Sequence, residues 1–115
     1  MIGILNLPLD KSAMIRFEQN VYDNEDVIQY YFNESTFNEF YESDLWKKLK
    51  SDFNIVLLYG KNKRILDKNI LESIYQMIQE DYYGIHDPIF YTLETFISVA
   101  IRFDTALYFF YENEE

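Results

Sequence analysis

The sequence predicts a mainly α fold: a compact bundle of about four to five helices around a C-terminal central helix, in a single domain over residues 1–115. Three observations predict it. Leu, Ile, Val and Phe make up 38 of the 115 residues, enough apolar surface for a packed core despite the formal charge of −10. Three Gly and two Pro are too few for the many tight turns of a barrel or sandwich. Apolar residues also recur at helical spacing in the middle and C-terminal thirds of the chain. The alternative is α+β, with a small sheet drawn from residues 2–7, 54–59 and 97–111.

Taken in order, the apolar lead is followed by Asp10 or Ser12, either of which can cap a segment through Asn20. Met14, Ile15 and Phe17 are its apolar residues, and their partial alternation leaves a strand open. Asp23 reads as a second N-cap with Asp26 at N3. Val27, Ile28, Tyr31 and Phe32 then recur at i and i+4, predicting a helix of about three turns. Ser35 opens the next helix, whose stripe is Phe37, Phe40, Tyr41, Leu45, Leu49 and Phe53. Lys47, Lys48 and Lys50 complement the dipole at its C-terminal end.

Residues 54–59 form an apolar run that periodicity cannot assign to strand or helix. A polar basic loop follows at residues 61–64. Asp67 can cap a helix with Ile70, Leu71, Ile74, Met77 and Ile78 as its core face and Gly84 beyond its end. Asp87-Pro88 is an N-cap followed by proline at N1. Ile89, Phe90, Leu93, Phe96, Ile97, Ala100 and Ile101 share one face of that last helix. Thr95, Ser98, Arg102 and Thr105 form its narrow polar stripe, so most of its circumference is apolar and it belongs at the centre of the fold. Alternation over Ile97, Val99, Ile101 and Phe103, with a turn at Asp104-Thr105, is the competing strand reading.

Charge is laid out unevenly. Residues 1–46 carry nine acids against two bases, residues 47–68 carry seven bases against two acids, and residues 69–115 carry nine acids against Arg102 alone. A folded, strongly negative surface repels nucleic acid and lipid headgroups and attracts basic protein. The lysines near Trp46 form the one feature suited to nucleic acid; pairing with neighbouring acids is the better reading of them. No cysteine is present, which excludes disulfides and thiolate sites. The N-terminus lacks the basic region of a secretory signal, and no stretch approaches a membrane span. A cytoplasmic protein is the expectation.

Catalytic patterns are missing. The single His86 precedes Asp87, but neighbouring side chains in an extended segment point apart and do not make a dyad. No serine sits in a glycine-flanked elbow, and Gly3, Gly60 and Gly84 are too scattered for a phosphate loop. Asp81, His86 and Asp87 lack a fourth ligand at a recognisable spacing for metal. The expectation is no enzyme, no cofactor and no metal.

The acids interleaved with tyrosine carry more information. Asp23, Glu25, Asp26, Tyr30, Glu34, Glu39, Glu42 and Asp44 fall on two successive predicted helices, and Tyr82 and Tyr83 lie by a turn. Carboxylates steer encounter with a basic cleft and occupy phosphate positions, while tyrosine adds rigid contact area. These ten residues are the candidate partner-binding surface. Ordinary solubility charge is the bland reading of the same pattern.

In overall character (small, cysteine-free, acidic, aromatic and helix-rich) the chain resembles the immunity proteins of bacterial toxin systems, of the colicin and contact-dependent inhibition type. The resemblance spans the whole chain and rests on no motif. It implies an inhibitor of one basic toxin domain, typically a nuclease, made by the same cell for self-protection. The expected partner is therefore a basic protein, with no direct nucleic-acid or membrane contact. Two alternatives stand beside it: a nucleic-acid mimic that blocks a restriction, CRISPR or other DNA-binding protein, and a structural or regulatory helical subunit.

Overall fold

The N-terminal lead Ile2–Pro8 is not a tail but a strand, β1, and it sits inside a sheet. In the computed structural model, which describes residues 2–55, 63–81 and 88–112, the fold is α+β rather than a helix bundle. Its order is β1 (Ile2–Pro8), α1 (Lys11–Glu18), β2 (Val27–Phe32), α2 (Glu34–Tyr41), α3 (Asp44–Phe53), β3 (Lys63–Ile65), α4 (Lys68–Asp81), α5 (Pro88–Arg102) and β4 (Leu107–Glu112). The four strands form one sheet, ordered β2-β1-β4-β3, with every neighbouring pair antiparallel.

The register sorts the side chains. Leu5 stands opposite Tyr30 and Phe109, and Gly3 opposite Phe32 and Tyr111. These residues, with Leu7, Leu107 and Ile65, face the main core, where α2, α3, α4 and α5 contribute Phe40, Trp46, Leu71, Ile74, Leu93 and Ile97. The Phe40 and Phe109 rings stack with centroids 5.7 Å apart, joining helix layer to sheet. On the opposite face, Asn6 stands between Gln29 and Tyr108. There Phe17 of α1 packs on Tyr108 with centroids 4.8 Å apart.

Local chemistry explains the helix ends. Asp10 caps α1, its carboxylate accepting from the Ala13 amide at 2.7 Å. Asn20 closes the following turn at φ 59°, and the Val21 amide returns to the Arg16 carbonyl. Asp67 accepts from the Asn69 amide at 2.8 Å at the start of α4, and Leu71, Ile74 and Ile78 are that helix's buried positions. In α5, Ile89, Phe90, Leu93, Phe96, Ile97 and Ala100 are buried as expected, with Ile101 half-buried. This helix touches β1 and β4 on one side and α4 on the other, which is why most of its circumference is apolar.

Four expectations are corrected. The helix expected from Asp23 through Phe32 is a turn followed by β2, because Val-Ile-Gln-Tyr-Tyr-Phe pairs residue for residue with β1. Asp23 caps no helix; it makes a local turn by accepting from the Glu25 amide at 2.8 Å. The single helix expected from Ser35 to Phe53 is two. Ser43 breaks it, donating to the Phe40 carbonyl at 2.6 Å while accepting from the Trp46 amide at 3.2 Å to cap α3. Asn33, rather than Ser35, caps α2.

The alternative α+β reading fits better, with its own adjustments. Residues 2–7 and the end of 97–111 are strands, while residues 97–102 complete α5. Asp104, at φ 56°, turns the chain between α5 and β4, and the Thr105 amide closes on the Ala100 carbonyl at 3.0 Å. The basic loop expected at 61–64 supplies the edge strand β3 from Lys63. Most of the 54–59 run, together with Gly84, lies outside the described residues. No described helix is long and apolar enough to cross a membrane.

Candidate functional site

The candidate acids fall in the turn before β2 and along α2 to the start of α3. Asp23 and Glu25 sit in the turn leading into β2, Glu34 begins α2 just after it, and Glu39 lies farther along α2. Glu42 and Asp44 flank Ser43 at the junction of α2 and α3. All six are exposed. Asp23, Glu25, Glu42 and Asp44 hold no ion pair among the described residues.

Asp26 is different. Its carboxylate takes both Nε and Nη2 of Arg16, at 2.9 and 2.5 Å, and also receives the Asp23 amide. The guanidinium holds the Asp26 carboxyl below the usual carboxylate range. This pair ties α1 to the turn before β2, so Asp26 braces the fold. Tyr30 lies half-buried on β2, its ring 6.2 Å from that of Phe32. Tyr82 and Tyr83 lie outside the described residues.

The basic segment divides in two. Arg64 turns to Glu18 at 2.7 Å, and Lys68 reaches Asp104 at 3.1 Å, where Lys11 also binds at 2.6 Å. These basic side chains are spent on acids from the flanking segments. Lys47, Lys48 and Lys50 stay exposed on α3. Trp46 is buried between Phe40 and Tyr41, with centroids 5.7 and 5.6 Å away, so its ring is closed to stacking on a nucleobase.

Every resolved pKa shift has a structural partner. The Tyr108 hydroxyl, ahead of Arg64, pulls the Glu18 carboxyl down; Lys11 and then Lys68 pull Asp104 down. Burial, then the Glu18 carboxylate, push the Tyr108 hydroxyl up. Arg16 and Arg64 rise beside Asp26 and Glu18. Among the described residues no three His, Asp or Glu side chains are grouped to hold a metal. His86 and Asp87, which form the metal candidate with Asp81, are outside the described residues.

Sequence reasoning missed a groove. α5 lies over β1 and β4 and leaves the outer strand β2 partly uncovered. The gap, about 320 Å³, is lined by Ile28, Gln29 and Tyr30 from β2 and by Tyr91, Thr92, Thr95 and Phe96 from α5. Its lining is mostly apolar, and Tyr91 is 55% exposed. The available signal was the composition of residues 27–32, uncharged and rich in β-branched and aromatic side chains, as strands are.

No protein-family model, no curated protein and no solved structure matches this chain.

Proposed function

We propose that this chain is an inhibitory binding protein of the immunity type, which neutralises a basic toxin domain, with a nuclease the best-suited kind, through its acidic surface. The observation that carries this reading is the group Asp23, Glu25, Glu42 and Asp44, exposed and without ion pairs among the described residues, in a chain of net charge −10. Such carboxylates raise the encounter rate with a basic surface and can occupy the positions of substrate phosphates. Apolar and aromatic side chains of the groove, Ile28, Tyr30 and Tyr91, supply area that charge alone lacks.

The test uses the C-terminal domain encoded by a large neighbouring gene, purified and mixed with this protein. Charge reversal at Glu25, Glu42 and Asp44 together slows association at low salt by roughly tenfold or more and leaves the melting temperature nearly unchanged. Asp26 is left out of the set because its reversal breaks the Arg16 brace. Equal association rates for parent and triple variant would sink the proposal. Competition with duplex DNA for a DNA-binding target, without inhibition of the neighbouring domain, would instead make the chain a nucleic-acid mimic.

A further inference from the structure

The two edges of the sheet are built in opposite ways. Among the described residues β3 has three, two of them charged, and Arg64 is tied to Glu18. Shortness and charge are the usual means of blunting an edge against pairing. β2 has six residues, Val27–Phe32, with no charge, no proline and no glycine. Its pairing with β1 runs from Val27 to Phe32 without a bulge. Alternate amides of such a strand point away from its one neighbour, and β2 has no second neighbour among the described residues.

Large side chains stand out along the same edge: Ile28 is 44% and Tyr31 55% exposed, on opposite faces. The groove against α5 opens beside Ile28, wide enough for side chains of an incoming strand. Uncharged, β-branched and aromatic six-residue segments of this kind are aggregation hazards when left open. A strand so unguarded, in a protein of net charge −10, is consistent with an edge that is covered in use.

We propose that the free edge of β2 receives an extended segment of a basic protein partner as a fifth strand, whose apolar side chains enter the groove between β2 and α5. This rests on the reading of a basic partner and names how the partner is held. Charge selects the occupant. Asp23 and Glu25, exposed and without ion pairs among the described residues, precede the edge, so an incoming strand with a basic end is attracted there. A second copy is disfavoured, because molecules that each carry −10 repel one another.

The experiment is amide hydrogen exchange by NMR on the full chain with three synthetic probes. These are a short peptide alternating lysine with valine, the same design alternating glutamate with valine, and a lysine-valine peptide of equal charge interrupted by prolines. The alternating basic peptide is expected to slow exchange at outward amides of residues 27–32 by about tenfold or more, and the other two to leave them unchanged. Thr95→Arg on α5 and Ile28→Lys on β2 each abolish that protection; Thr95→Arg alters an exposed helix position, so it keeps the test valid if Ile28→Lys unfolds.

Protection that both basic peptides produce equally, and on α2 or α3 rather than β2, overturns strand docking and leaves the basic-partner reading standing. Failure of both basic peptides to bind even at low salt overturns the two together. Protection of β2 that appears without peptide and grows with protein concentration identifies a second copy as the occupant, which also overturns the proposal.

Discussion

Glu18 and Tyr108 are joined by a 2.6 Å hydrogen bond from the tyrosine hydroxyl to the carboxylate, across 90 residues of sequence. The same oxygen receives Arg64 at 2.7 Å. One carboxylate at the end of α1 therefore links the helix to β4 and to the edge strand β3. Phe17 seats its ring on Tyr108 beside it. Together with the Arg16–Asp26 and Lys11–Asp104 pairs, this cluster holds α1 against the face of the sheet opposite the main core.

Tyr108→Phe keeps the ring and removes the donor. Glu18 remains exposed enough to be solvated, so the loss is that of one hydrogen bond to a charged group, about 1–2 kcal/mol. A fall in melting temperature of about 4–8 °C is expected by circular dichroism. An unchanged melting temperature would remove this link from the account of how α1 is held.

Acid acts through two opposed effects. Glu18, Asp26 and Asp104 have folded-state pKa values below their ordinary ones, held down by Tyr108 with Arg64, by Arg16, and by Lys11 with Lys68. Their contribution is present above the unfolded-state values near 4 and is lost as pH falls through the lower folded-state values. Lowering pH from 7 toward the isoelectric point of 4.4 first relieves the repulsion of a −10 chain. The melting temperature is therefore expected to rise or hold to about pH 5 and to fall below about pH 4. A melting temperature that keeps rising down to pH 2 contradicts the three pairings.

Gly3 faces Phe32 across the sheet, and a Cβ placed on Gly3 overlaps the Phe32 ring. Phe32 is buried, so the ring has little room to yield. Gly3→Ala is expected to cost about 1–3 kcal/mol in chemical denaturation, the usual range for overpacking. Gly3→Ala combined with Phe32→Leu recovers part of that loss, because the second change removes the obstacle. Additive losses would mean that the ring is not what excludes a side chain at Gly3.

Thr105 is buried at the turn between α5 and β4, and its hydroxyl has no hydrogen-bond partner among the described residues. Thr105→Val keeps the shape and removes a buried unpaired group. Denaturant unfolding is expected to show no loss and up to about 1 kcal/mol of gain. A clear loss of stability would reveal a partner for that hydroxyl.

How much was legible divides along the range of the interactions. The core faces of α4 and α5 could be read because a helix closes its own hydrogen bonds four residues apart and repeats its buried face every 3.6 residues. Asp10 and Asp67 announce helix starts for the same local reason. Even so, local reading missed Ser43, whose capping role interrupts an apolar stripe that by spacing runs on from Phe40 to Leu49.

Residues 27–32 show the limit most plainly. Val27, Ile28, Tyr31 and Phe32 match a helical spacing, and the acids before them match a helix start, yet β1 claims the segment as a strand. That choice depends on backbone partners 19 to 29 residues away, which no local window contains. Asp26 changes role for a like reason, since Arg16 reaches it only once α1 has folded back beside the turn.

By itself the sequence determined the amount of apolar core, the strongly negative and segmented charge, the absence of cysteine chemistry, and the buried faces of the long C-terminal helices. Those follow from composition and from bonds made within a few residues. Tertiary structure alone decided that the N- and C-terminal segments lie side by side in a sheet, that some acids brace the fold while others face solvent, and that β2 is left with an open edge. Each of these depends on which distant segments meet, and a strand acquires its partners only when the chain closes on itself.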